Sequence, residues 1–251
     1  TGMFDVVILA GGGKEKELIE YTGLANKAFI PIHGKPMLAY VLEALKKTGE
    51  VGRIVVVGPI NELAPLIERY EIIAVSEAHN VPENLRKGVD ILKPRAHFLI
   101  VAADLPFLKA EAVSSFLKQC KPYEWDFYYP IVSKEDNEQR FPGVKRTYVQ
   151  LRDGTFTGGN LFLLNPASLD KALPRLEQVF SLRKSPIKLA GLLGSKFIFR
   201  FIARQLTLSE LETRFSALFA LSGKAVITRF PEIGTDVDKP SDLELAKREL
   251  L

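Results

Sequence analysis

Cysteine is nearly absent from this chain: Cys120 is the one thiol in 251 residues. A lone cysteine forms no internal disulfide and no cysteine-based metal cluster. Histidine is scarce as well. His33, His79 and His97 are the three in the sequence, and they lack H-x-x-x-H or H-E-x-x-H spacing, which argues against a histidine zinc site. The missing G-x-S-x-G elbow removes the main sequence support for serine-hydrolase chemistry. No apolar run reaches the length needed to cross a bilayer, and residues 1–10 read as a strand rather than a signal peptide. A cytoplasmic protein with no membrane partner is therefore expected. Charge of one sign is also lacking, with 34 Lys and Arg against 30 Asp and Glu and a net charge of +4. These charges are scattered and form no stripe, so nucleic acid is not an expected partner. A content of 47% hydrophobic and 25% charged residues suits a water-soluble globular chain with one large core, or a core with an attached lobe.

What is present begins at the first strand. Val6-Val7-Ile8-Leu9-Ala10 runs directly into Gly11-Gly12-Gly13, followed by Lys14, Glu15 and Lys16. Glycines let the backbone approach a ligand and present N–H groups, and lysines add positive charge beside them. That combination suits a polyphosphate, although a plain strand-exit turn would also explain it. It is neither a Walker A loop nor a dinucleotide fingerprint, because the second glycine block with its hydroxyl is missing and Lys16 stands where a small residue is required.

The first half alternates apolar runs and helical patterns. Strands are expected at Asp5–Ala10, Arg53–Val57, Ile72–Val75, His97–Val101 and Trp125–Val132. Helices are expected at Met37–Lys47, Glu62–Tyr70, Glu83–Leu92 and Lys109–Cys120. Nearly continuous apolar strands separated by helices predict a parallel sheet covered on both faces. Residues 133–160 are polar, with strands at Tyr148–Leu151 and Leu161–Leu164 around them. From 168 to 222 the pattern is mostly helical, followed by a strand at Ala225–Ile227 and a helix at Ser241–Leu250 capped by Ser241.

Ligands of open parallel sheets bind beyond the carboxyl ends of the strands. Asp104, in Ala103-Asp104-Leu105-Pro106, lies just past one such end and reads as a metal or ligand residue or as a helix cap. Asp236 and Asp238 are two apart, so an extended backbone projects both to one side. They read as a metal pair or as a solvated turn before the last helix, with Asp242 a first-turn helix acid. Joined to Asp104, they offer the oxygen ligands that Mg²⁺ takes, with Mn²⁺ the alternative ion. The segment 26–36 is long for a connection between a strand and a helix. It carries Lys27 and Lys35; both are candidates for phosphate, with Lys35 also readable as an exposed turn residue. The basic group Arg140, Lys145 and Arg146 reads either as an anion-recognition element or as a solvated loop.

Together these residues resemble the molybdenum cofactor guanylyltransferase-like (MobA-like) branch of the nucleotidyltransferases. The family pattern L-A-G-G-x-(S/G)-x-R-(M/F) is matched from Leu9 to Glu17, with Lys16 in place of the usual arginine and Lys14 in place of the small residue. K-x-x-x-P-x-x-G-x-P corresponds to Lys27, Pro31, Gly34 and Pro36. A-D-x-P is Ala103 to Pro106, and D-(I/V)-D-T-P-x-D-L runs from Asp236 to Leu243. The resemblance implies an α/β, three-layer Rossmann-like fold with a mostly parallel central sheet in one domain over 3–251. It also implies a small antiparallel acceptor side at 133–165, and the chain adds a helical subregion at 168–222. The implied reaction is Mg²⁺-dependent transfer of a nucleotidyl group from an NTP to a phosphorylated small molecule, by a monomer or homodimer. Leu9, Ala10, Gly11, Gly12, Gly13, Lys14 and Lys16 would hold the triphosphate and Lys27 the α-phosphate. Asp104 and Asp238 would hold the metal, with Asp236 as a substitute. Asn80, Asn84 and Gly88 would face the base. Arg140, Lys145, Arg146, Thr157, Gly158, Gly159 and Asn160 would form the acceptor side. A sugar-1-phosphate or polyol-phosphate nucleotidyltransferase is the nearest alternative. A nucleotide-binding regulatory protein is a more distant one, and a surface-docking role for Lys196–Ala203 another.

Overall fold

The computed structural model describes residues 3–13, 15–182 and 185–251. Its frame is a mixed sheet whose parallel half comes first. β1 (Phe4–Leu9) leads through α1 (Lys16–Thr22), a small hairpin of β2 (Pro31–Ile32) and β3 (Lys35–Pro36), and α2 (Met37–Lys47). β4 (Val51–Gly58), α3 (Ile60–Tyr70), β5 (Ile73–Ser76), α4 (Val81–Leu92), β6 (Phe98–Ala102) and α5 (Ala110–Gln119) follow. Strands β5, β4, β1 and β6 pair in that order, all parallel. Their sequences are apolar at successive positions because both faces are covered. Val6, Ile8, Ile54 and Val56 face one cluster, and Val7, Val55 and Val57 face the other beneath Leu85, Val89 and Leu92 of α4. Val6, Val7 and Ile8 are all 0% exposed, and each such side chain contributes about 1.5–3 kcal/mol by leaving water.

Beyond β6 the pairing turns antiparallel. β7 (Phe127–Ser133), α6 (Lys134–Arg140), β8 (Val149–Leu151), β9 (Gly154–Gly158) and β10 (Leu161–Leu164) come next. β10 lies between β6 and β7, and β9 and β8 complete that edge. Four helices follow: α7 (Leu169–Leu182), α8 (Pro186–Leu193), α9 (Ser195–Ile202) and α10 (Leu208–Phe219). β11 (Gly223–Thr228) then returns parallel to β7, and α11 (Pro240–Glu249) ends the fold. No helix among the described residues is long and apolar enough to cross a membrane.

The predicted α/β class and every predicted strand appear, with ends shifted by a residue or two. Five elements were not expected: α1, α6, β9 and the two-residue strands β2 and β3. The first two are short helices of mostly polar residues, which carry little apolar periodicity. The expected Ser241 cap is corrected. Lys239 occupies that position, and the Asp242 carboxylate accepts from the Asp238 and Lys239 N–H groups at 3.0 and 3.2 Å. Asp242 is the first-turn acid anticipated, but it caps a helix that starts one residue earlier, at Pro240. Cys120, expected to be partly buried, is 1% exposed at the end of α5.

Candidate active site

The parallel register sets Leu9 opposite Val57 on one side and Ala102 on the other. The glycine loop after β1 and Asp104 after β6 therefore emerge side by side at the carboxyl edge of the sheet. Asn26 secures the first loop from beneath. Its amide donates to the Ala10 carbonyl at 2.8 Å, and its oxygen accepts from the Ala28 N–H at 3.0 Å, which starts the turn holding Lys27. A third segment, 233–238, is laid across the same edge. The Asn160 N–H donates to the Ile233 carbonyl at 3.0 Å, and the Val237 N–H donates to the Asp104 carbonyl at 3.1 Å. Val237 is 0% exposed and anchors the segment in an apolar cluster with Ile30, Phe107 and Leu243. With Val237 turned inward, Asp236 and Asp238 flank it and meet Asp104.

Lys27 lies at the centre. Its Nζ is 2.6 Å from Asp104 Oδ2, 2.7 Å from Asp238 Oδ1 and 3.1 Å from Glu15 Oε1. Burial disfavours the ammonium charge, but Asp104 and Asp238 outweigh it and hold Lys27 protonated well beyond the ordinary lysine range. Arg146 performs a similar office for Asp236, with Nη1 2.5 Å from Oδ1 and both side chains 13% exposed. Burial and the adjacent Asp104 push the Asp236 carboxyl above the ordinary aspartate range, against the pull of Arg146.

The donor set fits a hard divalent cation. Oxygens of Asp104, Asp236 and Asp238 lie within 4.8 Å of one another. Asp104 Oδ1 is buried without a hydrogen-bond partner among the described residues, a state that costs free energy unless a ligand relieves it. Among the described residues, the carboxyl groups of Asp104, Asp236, Asp238 and Glu15 gather around Lys27 and Arg146.

Around the glycine loop the picture is more particular than the sequence suggested. The Gly12 N–H donates to Glu77 Oε2 at 3.0 Å, so an anion arriving at that N–H must displace a carboxylate already there. A Cβ on Gly11 would lie 3.0 Å from Glu77 Oε2 and 3.1 Å from Asn84 Nδ2, which leaves room for glycine alone without rearrangement. Glu15, Glu77 and Asn26 were missed as site residues. Only Asn26 carried a signal, as an Asn that starts a turn two residues on.

Lys16 is exposed at the start of α1 and lines the cavity described below. Lys14 lies outside the described residues. Lys35 pairs with Glu43 at 2.6 Å, which accounts for it without phosphate. Asn80 caps α4 by accepting from the Glu83 N–H at 2.9 Å, and the buried Asn84 accepts from the Ala78 N–H at 2.5 Å. Gly88 sits where α4 crosses the sheet. An added Cβ there would lie 2.6 Å from Val7 Cγ1, so close packing is sufficient reason for this glycine.

Of the acceptor-side residues, Lys145, Arg146, Thr157, Gly158, Gly159 and Asn160 all line one cavity of about 1120 Å³ that reaches Asp236 and Asp238. Arg140 is not on that wall. It is held by Glu232 at 3.0 Å and Glu249 at 2.8 Å, and it serves to neutralise Glu232, which is 4% exposed. Gly158 and Gly159 are required by contact: a Cβ would lie 1.5 Å from the Tyr129 hydroxyl at the first and 2.8 Å from Pro130 Cγ at the second.

The fold is shared with proteins of known structure. A hypothetical transferase from Thermus thermophilus, of known structure, is 37% identical, with 96% of this chain and 99% of that one aligned and a TM-score of 0.81. A CMP:2-keto-3-deoxy-manno-octonic acid synthetase solved with CTP is 14% identical at a TM-score of 0.58, with 100% of this chain and 98% of that one covered. The 4-diphosphocytidyl-2C-methyl-D-erythritol synthase of Anaerococcus prevotii is 12% identical at 0.58, with 99% and 98% covered. These two share the fold. Among curated proteins, the 3-deoxy-manno-octulosonate cytidylyltransferase of Wigglesworthia glossinidia brevipalpis is 30% identical over 101 residues. That match spans 38% of this chain and 41% of the curated relative's length. The family model of the MobA-like NTP transferase domain matches residues 6–187. That span includes the glycine loop, Lys27 and Asp104, and the chain belongs to the MobA-like NTP transferase family of nucleotidyltransferases.

Proposed function

We propose that the chain transfers a nucleotidyl group from an NTP to a phosphorylated small-molecule acceptor and releases pyrophosphate. The observation that carries this reading is the convergence of Lys27, Asp104, Asp236 and Asp238 beside a glycine loop at the sheet's carboxyl edge. An acceptor phosphate is already ionised, so attack on the α-phosphorus needs no general base, and positioning with charge neutralisation supplies the rate.

Asp104 and Asp238 would hold Mg²⁺, with Asp236 beside them, and the ion would supply neutralisation of phosphate oxygens. Lys27 is a charged donor held among carboxylates; a phosphate oxygen offered at similar distance competes for it. Gly12 exchanges Glu77 for a phosphate oxygen in the same way. Lys16, exposed at the loop, adds positive charge for the β- and γ-phosphates. Arg146 keeps Asp236 in place and gives the acceptor end a cation. Lysine in place of arginine at position 16 brings charge without a two-pronged fork, so the loop's grip on the phosphate is less directional.

The test is pyrophosphate release from base-varied NTPs across phosphorylated acceptors, with Mg²⁺ and with a chelator. The named activity of the curated relative makes CTP the first donor to try. Mg²⁺-dependent release that requires an acceptor is expected. NTP binding with no release for any acceptor would favour the regulatory reading instead.

A further inference from the structure

The cavity beside the catalytic cluster is much larger and more apolar than phosphate recognition requires. Its floor is one face of the antiparallel half-sheet. Alternate residues Phe127, Tyr129 and Ile131 of β7 point into it, with Phe162 of β10 beside them. The rings are arranged as a ladder: Tyr129 and Phe162 stack at 5.5 Å and 5°, and Phe127 stacks on Phe162 at 5.8 Å. The roof is the helical insertion, with Leu189 and Leu192 of α8, Phe201 of α9, and Leu211 and Phe215 of α10. Protein interiors leave few voids larger than one water, and drug-sized pockets rarely exceed about 1,000 Å³. A continuous space of about 1120 Å³, running from the glycine-loop cleft at Leu9, Lys16 and Leu85 to the gap between the antiparallel half-sheet and its helices, is a built binding chamber.

Around the glycine loop and the aspartates the wall is polar, with Lys16, Lys145, Arg146, Asp236 and Asp238, whereas the part formed by β7, β10 and α8–α10 is mostly aliphatic and aromatic, with Glu212 of α10 charged and Lys224 of β11 beside it. Charged chemistry at one end and mostly hydrocarbon toward the other match one kind of molecule. We infer that the acceptor is an amphiphile: a phosphate monoester on a long apolar chain, its head at Arg146 and its tail between β7, β10 and helices α8–α10. This rests on the nucleotidyl-transfer reading above and names the acceptor class for it. An oxygen of the acceptor phosphate forms a new bond to the α-phosphorus of the NTP. The bond from that phosphorus to the bridging oxygen of the β-phosphate breaks, and pyrophosphate leaves with the electron pair. The product is a nucleoside diphosphate esterified to the apolar chain.

The outer side of the insertion agrees with delivery from an apolar phase. Ile187 of α8 and Phe199 and Ile202 of α9 are 55%, 74% and 62% exposed and do not line the cavity. Lys188 and Lys196 lie among them in sequence. A sugar phosphate would leave the half-buried Leu189 and Leu192 of the roof facing water, at a cost that an alkyl chain removes.

The experiment measures pyrophosphate release by the full chain with Mg²⁺, an NTP mixture, and n-butyl, n-octyl or n-dodecyl phosphate below their aggregation limits. Sugar 1-phosphates serve as the polar arm. Displacement of anilinonaphthalene sulfonate by each phosphate is followed in parallel. Each buried methylene is expected to raise kcat/KM roughly fourfold until the chamber is filled. Leu192→Gln should flatten that dependence, and the wild-type series stands by itself if this variant misfolds. Release with sugar phosphates and a flat or falling response to chain length would overturn the inference and leave nucleotidyl transfer intact. Saturable displacement by dodecyl phosphate with no release from any pair would keep the amphiphile chamber and refute the transfer reading. Neither displacement nor chain-length dependence would remove the chamber's assignment.

Discussion

The two halves of the central sheet treat their apolar faces in opposite ways. In the parallel half, α4 packs directly onto β1 and β4, and Val7, Val55 and Val57 are 0% exposed beneath it. In the antiparallel half, Phe127, Tyr129 and Phe162 are only partly buried, and the helices above them leave a chamber of about 1120 Å³. The contrast follows from connectivity. A short crossover brings its helix down onto the strands it joins. The insertion from α7 to α10 instead spans the gap between β10 and β11, and packs partly on itself, with α8 against α9. The close-packed half thus supplies Lys27 and Asp104, while Arg146, Asp236 and Asp238 reach them from the half that holds the chamber.

The comparison can be broken most sharply at the cluster. Asp104→Asn removes a carboxylate from Lys27 and from the proposed metal position together, and Mg²⁺-dependent pyrophosphate release should fall by about 10³-fold. The melting temperature should hold, and near-normal turnover would end the metal role. Two arginines provide the next test. Arg146→Ala strips the cation from Asp236 and should lower kcat/KM about 10²-fold by steady-state kinetics. Arg140→Ala should leave acceptor KM unchanged but cost about 2 kcal/mol in urea melts, because Lys109 at 3.4 Å only partly compensates the buried Glu232. If Arg140→Ala raises acceptor KM instead, the acceptor side extends further than the chamber.

A smaller effect distinguishes packing from base recognition. Gly88→Ala places a methyl 2.6 Å from Val7 and 3.2 Å from Val57, so it should destabilise by about 1–3 kcal/mol. Kinetic constants measured well below the transition should not move, and a selective rise in NTP KM would return Gly88 to the base site. The least effect is expected at Cys120, where burial pushes the thiol up to about 12. Native protein near pH 8 should resist thiol reagents and react once unfolded. The sign follows from linkage: the folded state keeps a proton that the unfolded chain releases, so this group's contribution to stability falls as pH rises through the ordinary thiol range. Rapid native labelling would mean that the end of α5 opens readily.

The legibility of the sequence divides along the same line as the sheet. Apolar runs at β1, β4 and β6 could be read because strands buried on both faces have one solution. The glycine loop, Lys27, Asp104 and the Asp236–Asp238 pair stood out as polar residues at strand ends. Glu15 and Glu77 did not, since an acidic residue in a polar loop carries no mark of what it will face. Arg140 and Arg146 looked equivalent in sequence. One neutralises a buried glutamate and the other reaches the cluster, a difference decided by the directions of α6 and the loop after it.

The sequence by itself determined the class of fold, the strand ends where chemistry collects, and the charge types gathered there. These depend on local pattern and on residue chemistry, which are properties of the chain as written. Only the tertiary structure decided that Lys27 sits among three carboxylates, that Glu77 occupies the Gly12 N–H, and that the helical insertion roofs a chamber instead of filling it. Those facts depend on distances between segments far apart in the chain. They are set by how whole layers pack, and no run of neighbouring residues encodes them.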